Sequence, residues 1–394
     1  MEYKKTDLGI IPDKWIIKSI QQLIDDSFIT GHLDGNHGEL YPRSHEFISD
    51  GVAYIGANDF VDGNVSFENC KFLNLKRASQ FRKGIAKDGD VLFAHNATVG
   101  PVALLRTKEP FVILSTTATY YRCNLNKLNN LYLKAVLQAQ FFVKQYQAVM
   151  AQSTRFQVPI TTQRKLSLVI PPFVEQRAIA TALSDIDTLL AGLSKLIAKK
   201  RDIKQATMQQ LLTGKTRLPG FSGKWRELLL GDVLTICHGK NQREVEVVDG
   251  VYPILATGGQ IGTALRPLYN KPSVLIGRKG TINQPQYMDT PFWTVDTLFY
   301  SILKAENNAK FFYYRFLLID WMQFNEASGV PSLNARTIER IEINCPPPDE
   351  QTAIAQILSD MDNEISALEK RLEKTRMLKQ GMMQELLTGR IRLV

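Results

Sequence analysis

Pro171-Pro172-Phe173-Val174-Glu175-Gln176-Arg177-Ala178-Ile179-Ala180 opens a stretch that continues through Leu183-Ser184-Asp185 and closes at Leu211-Leu212-Thr213-Gly214. The chain then spells it again: Pro346-Pro347-Pro348-Asp349-Glu350-Gln351-Thr352-Ala353-Ile354-Ala355, through Leu358-Ser359-Asp360, to Leu386-Leu387-Thr388-Gly389. Each residue of the first copy lies 175 positions before its counterpart, without a gap, from Pro171/Pro346 to Leu218/Leu393. About half of the paired positions are identical, which chance does not produce, and long-period repetition marks an architecture of repeated units. A repeat made once per half chain predicts a pseudo-two-fold molecule from one polypeptide. Such a molecule is suited to reading something that itself has two halves.

Both copies read as long helices. Ile179, Leu183, Ile186, Leu190, Leu193 and Ile197 step by four and three residues, as do Ile354, Leu358, Met361, Ile365, Leu368 and Leu372. This is the seam of a helix that packs on another helix. The Pro-Pro pairs cannot continue a helix and mark its entry, and Gly214 and Gly389 stand where a left-handed residue ends one. Antiparallel packing would carry the chain out along one helix and back along the other. Roughly 38 residues at about 1.5 Å rise give a strut of roughly 55 Å. Ile179, Leu183, Ile186, Leu190, Ile354, Leu358, Met361 and Ile365, with Glu175, Gln176, Glu350 and Gln351 at the helix entries, are the candidates for helix pairing or for seating a partner.

Two mixed domains are expected around these helices, so the fold class is α+β. Their bounds are 1–170 and 219–345, with helical spacers at 171–218 and 346–394. In the first domain, Val52–Gly56, Asp90–Phe93, Val102–Leu105 and Phe111–Leu114 read as strands punctuated by Gly51, Gly63, Gly89 and Gly100-Pro101. A helix is predicted over about 131–149, where Leu133, Val136, Leu137 and Phe141 recur at helical spacing. The second domain repeats the plan loosely. Lys14-Trp15 is matched by Lys224-Trp225, Asp90–Phe93 by Ser273–Ile276, and the helix by one near Phe311–Phe324. The order is shared while the surfaces differ.

The formal net charge of +9 favours a polyanionic partner, most simply nucleic acid; a basic enzyme without such a partner is the alternative. Cys70, Cys123, Cys237 and Cys345 form no C-x-x-C pair, so neither a zinc site nor a disulfide framework is suggested, and a reducing cytosol fits. No stretch approaches the roughly 20 apolar residues that span a bilayer, which reads as a cytoplasmic protein.

The motifs of catalysis are missing. Ile170-Pro171-Pro172-Phe173 resembles the tail of the amino-methyltransferase motif N/D-P-P-Y/F, but that motif needs an Asp or Asn first to hold the target amine. Ile170 cannot do this, nor can Cys345. There is no G-x-x-x-x-G-K-[ST] phosphate loop and no strand followed by G-x-G-x-x-G. His32, His37, His45, His95 and His238 lack second ligands at metal spacing, apart from a loose cluster at 32–45.

What remains are polar and basic loops. Arg278-Lys279-Gly280-Thr281 follows a strand, and His95-Asn96-Ala97-Thr98-Val99-Gly100 is its equivalent in the first domain. Arg pairs with guanine O6/N7 and Asn with adenine N6/N7, so unlike side chains at equivalent loops would read unlike bases. An exposed polar turn is the plain alternative. The loops before the helices supply Thr154, Arg155 and Gln157 in one half and Ser332, Asn334 and Arg336 in the other, suited to phosphate or base contact. Arg43, Lys240, Arg243 and Gln260 are weaker candidates. Lys195, Lys199, Lys200, Arg201 and Lys204 lie on the first long helix, where they would either touch phosphates or form a solvated face.

The duplicated P-P-x-x-E-Q-x-A-I-A…L-S-D-x-D…L-L-T-G-x-x-R-L segment resembles the conserved regions of the specificity subunits of type I restriction-modification systems. Gly89-Asp90-Val91-Leu92 and Val274–Gly280 are also similar to that family. The resemblance covers nearly the whole chain and implies two target-recognition domains alternating with two antiparallel coiled-coil helices. It implies a subunit without catalysis of its own. Each recognition domain would read one half of a bipartite double-stranded DNA site, and the helices would set the spacing. Two modification subunits carrying S-adenosylmethionine would dock on it, and restriction subunits using ATP and Mg2+ would complete the assembly. The first copy departs at Phe173-Val174, where the second has Pro348-Asp349, which bears on local capping. The rivals are a fused methyltransferase or nuclease, which would need a cofactor or metal motif, and an assembly scaffold that does not touch nucleic acid.

Overall fold

A computed structural model describes residues 2–151 and 156–393. The chain divides into two compact units: Met1–Leu193 with Arg371–Val394, and Ser194–Lys370. Each therefore owns one mixed domain and one end of each long helix. The helices are Phe173–Leu211 and Pro348–Leu386, 39 residues each.

In the first unit a six-stranded sheet runs in the order Ile29–Asp34, Ala118–Cys123, Val91–Asn96, Thr98–Leu104, Asn64–Val65, Phe60–Val61. Successive side chains of a strand face opposite ways, and both faces here are apolar. Leu92 and Ala103 pack on a five-stranded sheet through Ala53, Ile55, Val112 and Leu114. Val91, Phe93, Val102 and Leu104 pack on helices and on Ile179 and Leu183 of the first long helix. The single helix expected over 131–149 is two, Asn130–Leu137 and Gln140–Met150. Ala139 is extended between them (ψ 144°). The break aims Phe142 and Tyr146 at Phe93, with ring centroids 6.1 and 5.7 Å away. The apolar spacing runs on through the break, so periodicity cannot reveal it.

The second unit has a four-stranded sheet in the order Leu234–Cys237, Leu298–Leu303, Ser273–Gly277, Gln286–Met288, and a second four-stranded sheet in the order Glu246–Val247, Gly259–Ala264, Tyr252–Ala256, Trp293–Thr294. Its helix is Ala309–Leu318, followed by a separate 3-10 turn at Trp321–Phe324. In each unit the last strand before a long helix pairs antiparallel with a strand near the start of the domain: Ser167–Ile170 with Ile16–Ser19, and Glu342–Cys345 with Arg226–Leu229.

Within each unit the two helix ends run antiparallel and meet at the same three joints. Glu175 is fully buried and takes the indole N–H of Trp15 (2.9 Å) and the guanidinium of Arg392 (2.6 Å). Glu350 takes Trp225 (3.0 Å) and Arg217 (2.6 Å). The tail of one repeat thus closes on the head of the other, in both directions. Gln176 accepts the Asn129 backbone N–H (3.0 Å) and donates to the Pro171 carbonyl (3.0 Å). Gln351 does the same with Asn308 (2.9 Å) and Pro346 (3.0 Å). Asp187 holds Lys379 (2.6 Å) and Lys134 (3.7 Å), while Asp362 holds Lys204 and the Tyr314 hydroxyl (2.7 Å).

Of the two roles considered for Glu175, Gln176, Glu350 and Gln351, burial disfavours the seating of a partner, while Glu175 and Glu350 do join the repeats through Arg392 and Arg217. All four are at most 1 % exposed, and they tie each helix entry to its own domain. Of the seam residues, Ile179, Leu183, Ile354, Leu358 and Ile365 are buried, while Ile186, Leu190 and Met361 are half-buried. The basic run is also accounted for. Lys200, Arg201 and Lys204 pair with Glu364, Glu369 and Asp362 of the antiparallel helix, leaving Lys195 and Lys199 exposed.

Candidate nucleic-acid interface

In both units the loop after the central strand, Val91–Asn96 or Ser273–Gly277, meets the loop before the short helix at one end of that strand's sheet. The strands there run up into loops whose backbone polar groups must find partners, and they find each other. In the second unit the Arg278 N–H donates to the Thr297 carbonyl (2.8 Å), and the Arg278 carbonyl accepts from Leu333 (2.9 Å). Gly280 donates to the Pro331 carbonyl (2.8 Å), and Lys279 forms a bridge with Ser332. In the first unit His95 donates to the Thr117 carbonyl (2.9 Å) and accepts from Val158 (2.8 Å). Ala97 donates to the Phe156 carbonyl (3.2 Å), and Asn96 forms a bridge with Gln157. In these four contacts the frames are the same, and the second adds a longer bond from the Lys279 N–H to the Thr297 carbonyl (3.3 Å). They equate His95 with Arg278, Asn96 with Lys279, Ala97 with Gly280, and Gln157 with Ser332.

Ala97 and Gly280 sit at the one residue of the frame with left-handed backbone, at φ 63° and 93°. Gly280 is the natural occupant; Ala97 carries a Cβ there at a cost. A second shared device is Gly35 and Gly239. A Cβ at Gly35 would lie 2.1 Å from the Ser115 carbonyl oxygen, and one at Gly239 would lie 1.9 Å from that of Val295. Glycine alone lets the loop carrying Arg43, or that carrying Lys240, pass so close to the first residues beside the frame.

In the second unit Lys240, Arg243, Gln260, Arg278, Lys279, Asn334 and Arg336 are exposed, and Thr281 and Ser332 are half-buried. Lys240 donates its backbone N–H to the Thr294 carbonyl (2.8 Å), which brings its loop to the same end. Thr257 at the neighbouring hairpin tip joins them: a Cβ on Gly280 would stand 3.7 Å from its hydroxyl. Arg278 rests one guanidinium nitrogen on the Asp296 carbonyl (3.2 Å). The Asn334 side-chain oxygen is committed, since it caps the helix Ala335–Glu339 through the Arg336 N–H (2.9 Å). Its exposed amide N–H groups are unengaged by this cap.

In the first unit Arg43 and Thr98 are exposed and Asn96 and Gln157 half-buried, whereas Thr154 and Arg155 lie outside the described residues. His95 departs from the expectation of an exposed loop side chain. It is 6 % exposed, and its Nδ1 lies 2.9 Å from the Thr119 hydroxyl. Burial holds its pKa below the usual histidine range. His32 is buried beside Gln163 and Tyr121, and its pKa is lowered to about 4, chiefly by desolvation. The stretch Thr257–Gln260 was among the weaker sequence candidates, whereas Thr117 and this buried polar cluster were missed; period-2 patterning reports which face a side chain takes, not what it meets there.

Among the described residues no three His, Cys, Asp or Glu side chains gather where they could hold a metal. Among the described residues no helix is long and apolar enough to cross a membrane.

Comparison with known proteins bears on the identity of this surface. A family model described as the type I restriction modification DNA specificity domain matches residues 36–201 and 222–375. A putative type I restriction enzyme MjaX specificity subunit of Methanocaldococcus jannaschii is 24 % identical over 439 residues, covering 99 % of this chain and 96 % of its own. The MjaVIII specificity subunit of the same organism is 24 % identical over 419 residues, covering 90 % and 95 %. Among solved structures, the type I restriction-modification S subunit from M. genitalium superposes with a TM-score of 0.63 at 16 % identity, covering 95 % of this chain and 96 % of that one. A chain from a study of complex assembly and conformational transition of the type I restriction-modification system superposes at 0.59 with 16 % identity, covering 97 % and 99 %.

Proposed function

The chain belongs to the type I restriction-modification DNA specificity family, as the specificity subunit of such a system, and from that premise we propose that its two domains each read one half of a bipartite DNA site. Residues 1–170 and 219–345 are the recognition domains, and 171–218 and 346–394 are the spacers. The observation that carries this is the shared loop frame bearing unlike side chains. Asn96 and Gln157 in the first domain suit the N6/N7 edge of adenine. Arg278 and Lys279 in the second suit the O6/N7 edge of guanine. Arg43, Thr98, Lys240, Arg243, Gln260, Thr281, Ser332 and Arg336 complete the contact surface as base or phosphate ligands.

The helices set the separation of the half-sites. A helix of 39 residues is about 58 Å long at about 1.5 Å per residue, and B-DNA repeats in roughly 34 Å. Two helical repeats identical at about half of their positions suit two copies of one modification subunit. Those subunits supply S-adenosylmethionine chemistry, and restriction subunits supply ATP- and Mg2+-dependent cleavage; this chain contributes recognition without catalysis, in the cytoplasm.

The test is to sequence methylated adenines in the DNA of cells making this chain with its modification subunit. A motif of two short specified blocks around an unspecified gap is expected. One contiguous specified block, or methylation without sequence preference, defeats the reading.

A further inference from the structure

The two loop frames match in four contacts, but what lies beneath them does not. In the first unit Gln163 is fully buried and all its hydrogen-bonding capacity is used. Its amide N–H groups reach the Thr119 hydroxyl (3.1 Å) and the Val158 carbonyl (2.9 Å). Its oxygen accepts from the Tyr121 hydroxyl (2.7 Å) and lies 3.3 Å from His32 Nε2. Thr119, also fully buried, continues to His95 Nδ1 at 2.9 Å. One side chain therefore grips both strands of the recognition frame, through Val158 on one side and through Thr119 and His95 on the other.

The second unit has no such network at the equivalents of Gln163 and Thr119; its buried polar bonds lie elsewhere, between Ser273 and Ser301 (2.7 Å) and from the Ile236 N–H to Glu339 (2.8 Å). Its frame equates Val158 with Leu333, so Gln163, five residues on, becomes Ile338. Strand pairing equates Thr119 with Phe299 and the Tyr121–His32 pair with Ser301–Ile236. Ile338 and Phe299 are fully buried and Ile236 nearly so. Apolar packing resists compression but is indifferent to small rotations. A satisfied hydrogen-bond network is directional, and a lost member leaves the others buried and unpaired.

Resting on the reading of the first domain as a half-site reader, we infer that Gln163 and Thr119 are positioning residues that fix the Asn96 and Gln157 loops in the geometry that discriminates bases in the first half-site, a role that the second domain fills with apolar packing. Neither residue touches DNA. Both act through His95 and Val158, whose backbones carry the frame. The Ala97 residue, held in left-handed backbone, is where such a frame would relax once released.

The experiment uses the full chain assembled with its modification subunits. Methylation is measured on duplexes carrying single base changes in each half-site. Gln163→Met and Thr119→Val are expected to lower discrimination in the first half-site by tenfold or more while leaving the second unchanged. Thr119→Ser, which keeps the hydroxyl, restores wild-type discrimination. Leu133→Ala, a cavity in the same core at a side chain that takes no hydrogen bond in the network, is expected to lower Tm without altering discrimination. Should Gln163→Met fail to fold, the Thr119 pair decides. Wild-type discrimination in folded Gln163→Met or Thr119→Val overturns the inference, and so does equal loss in Leu133→Ala. A wild-type complex with no half-site preference at all fails one step earlier, at the reading of the domain.

Discussion

At the level of single residues, the loop surface separates exposed side chains from groups that hold the frame. Arg278 has both backbone polar groups tied into the frame while its side chain is exposed, so its removal should spare the fold. Arg278→Ala is expected to relax preference at one base of the second half-site and to cost about 1–3 kcal/mol there. Binding measured on base-substituted duplexes checks this; a uniform loss across all sequences, with a shallower salt dependence, makes Arg278 a phosphate contact instead. His32 makes a contrasting prediction. Its folded pKa is about 4, so between about 6.5 and 4 the unfolded chain takes a proton that the folded chain refuses. Stability from this group is present above about pH 6.5 and is lost as pH falls toward 4, by about 3 kcal/mol in all. Urea unfolding at pH 7 and pH 4.5 should show a drop that is smaller in His32→Asn; an equal drop in both proteins rejects the assignment.

Among elements, the long helices gain more from their joints than from the pairs along their length. The links from Lys200, Arg201 and Lys204 to Glu364, Glu369 and Asp362 are partly solvated, and each contributes about 0–1 kcal/mol. They select the antiparallel register more than they hold it. The buried Glu175 and Glu350 are different, since removing a partner from a buried charge costs about 3–5 kcal/mol. If the helices measure the gap between half-sites, seven residues inserted after Ser194 and seven after Lys370 add about two turns, or about 10 Å. The unspecified gap should lengthen by about three base pairs at about 3.4 Å each, or binding should be lost as DNA twist turns one half-site away. Methylated-motif sequencing reports the gap, and an unchanged gap contradicts the measuring role.

For the whole molecule, the recurrence of the joints makes the domains interchangeable parts. A domain needs a Trp near its start for the buried Glu, an Asn-capped helix for the Gln, and a Lys or Tyr for the Asp. Replacing 219–345 by the equivalent domain of a relative that keeps these groups should change one half of the methylated motif and leave the other intact; change in both halves counts against independent reading. The duplicated segment made this plan legible. Its register, its Pro-Pro entries and its heptad seam are local patterns, and they named both helices to within a few residues. The matched Lys-Trp pairs marked the domain starts, although not the buried carboxylates that hold them.

Residue order alone determined the two helices and the α+β class of both halves, because periodicity and turn chemistry are properties of neighbours along the chain. Tertiary structure decided the rest. It made Glu175 and Glu350 buried joints, drew Lys200 and Lys204 into the helix pair, split the helix at Ala139, and placed a polar network under one frame and an apolar core under the other. Each of those outcomes depends on what a side chain meets from a segment distant in sequence, and no local pattern carries that information.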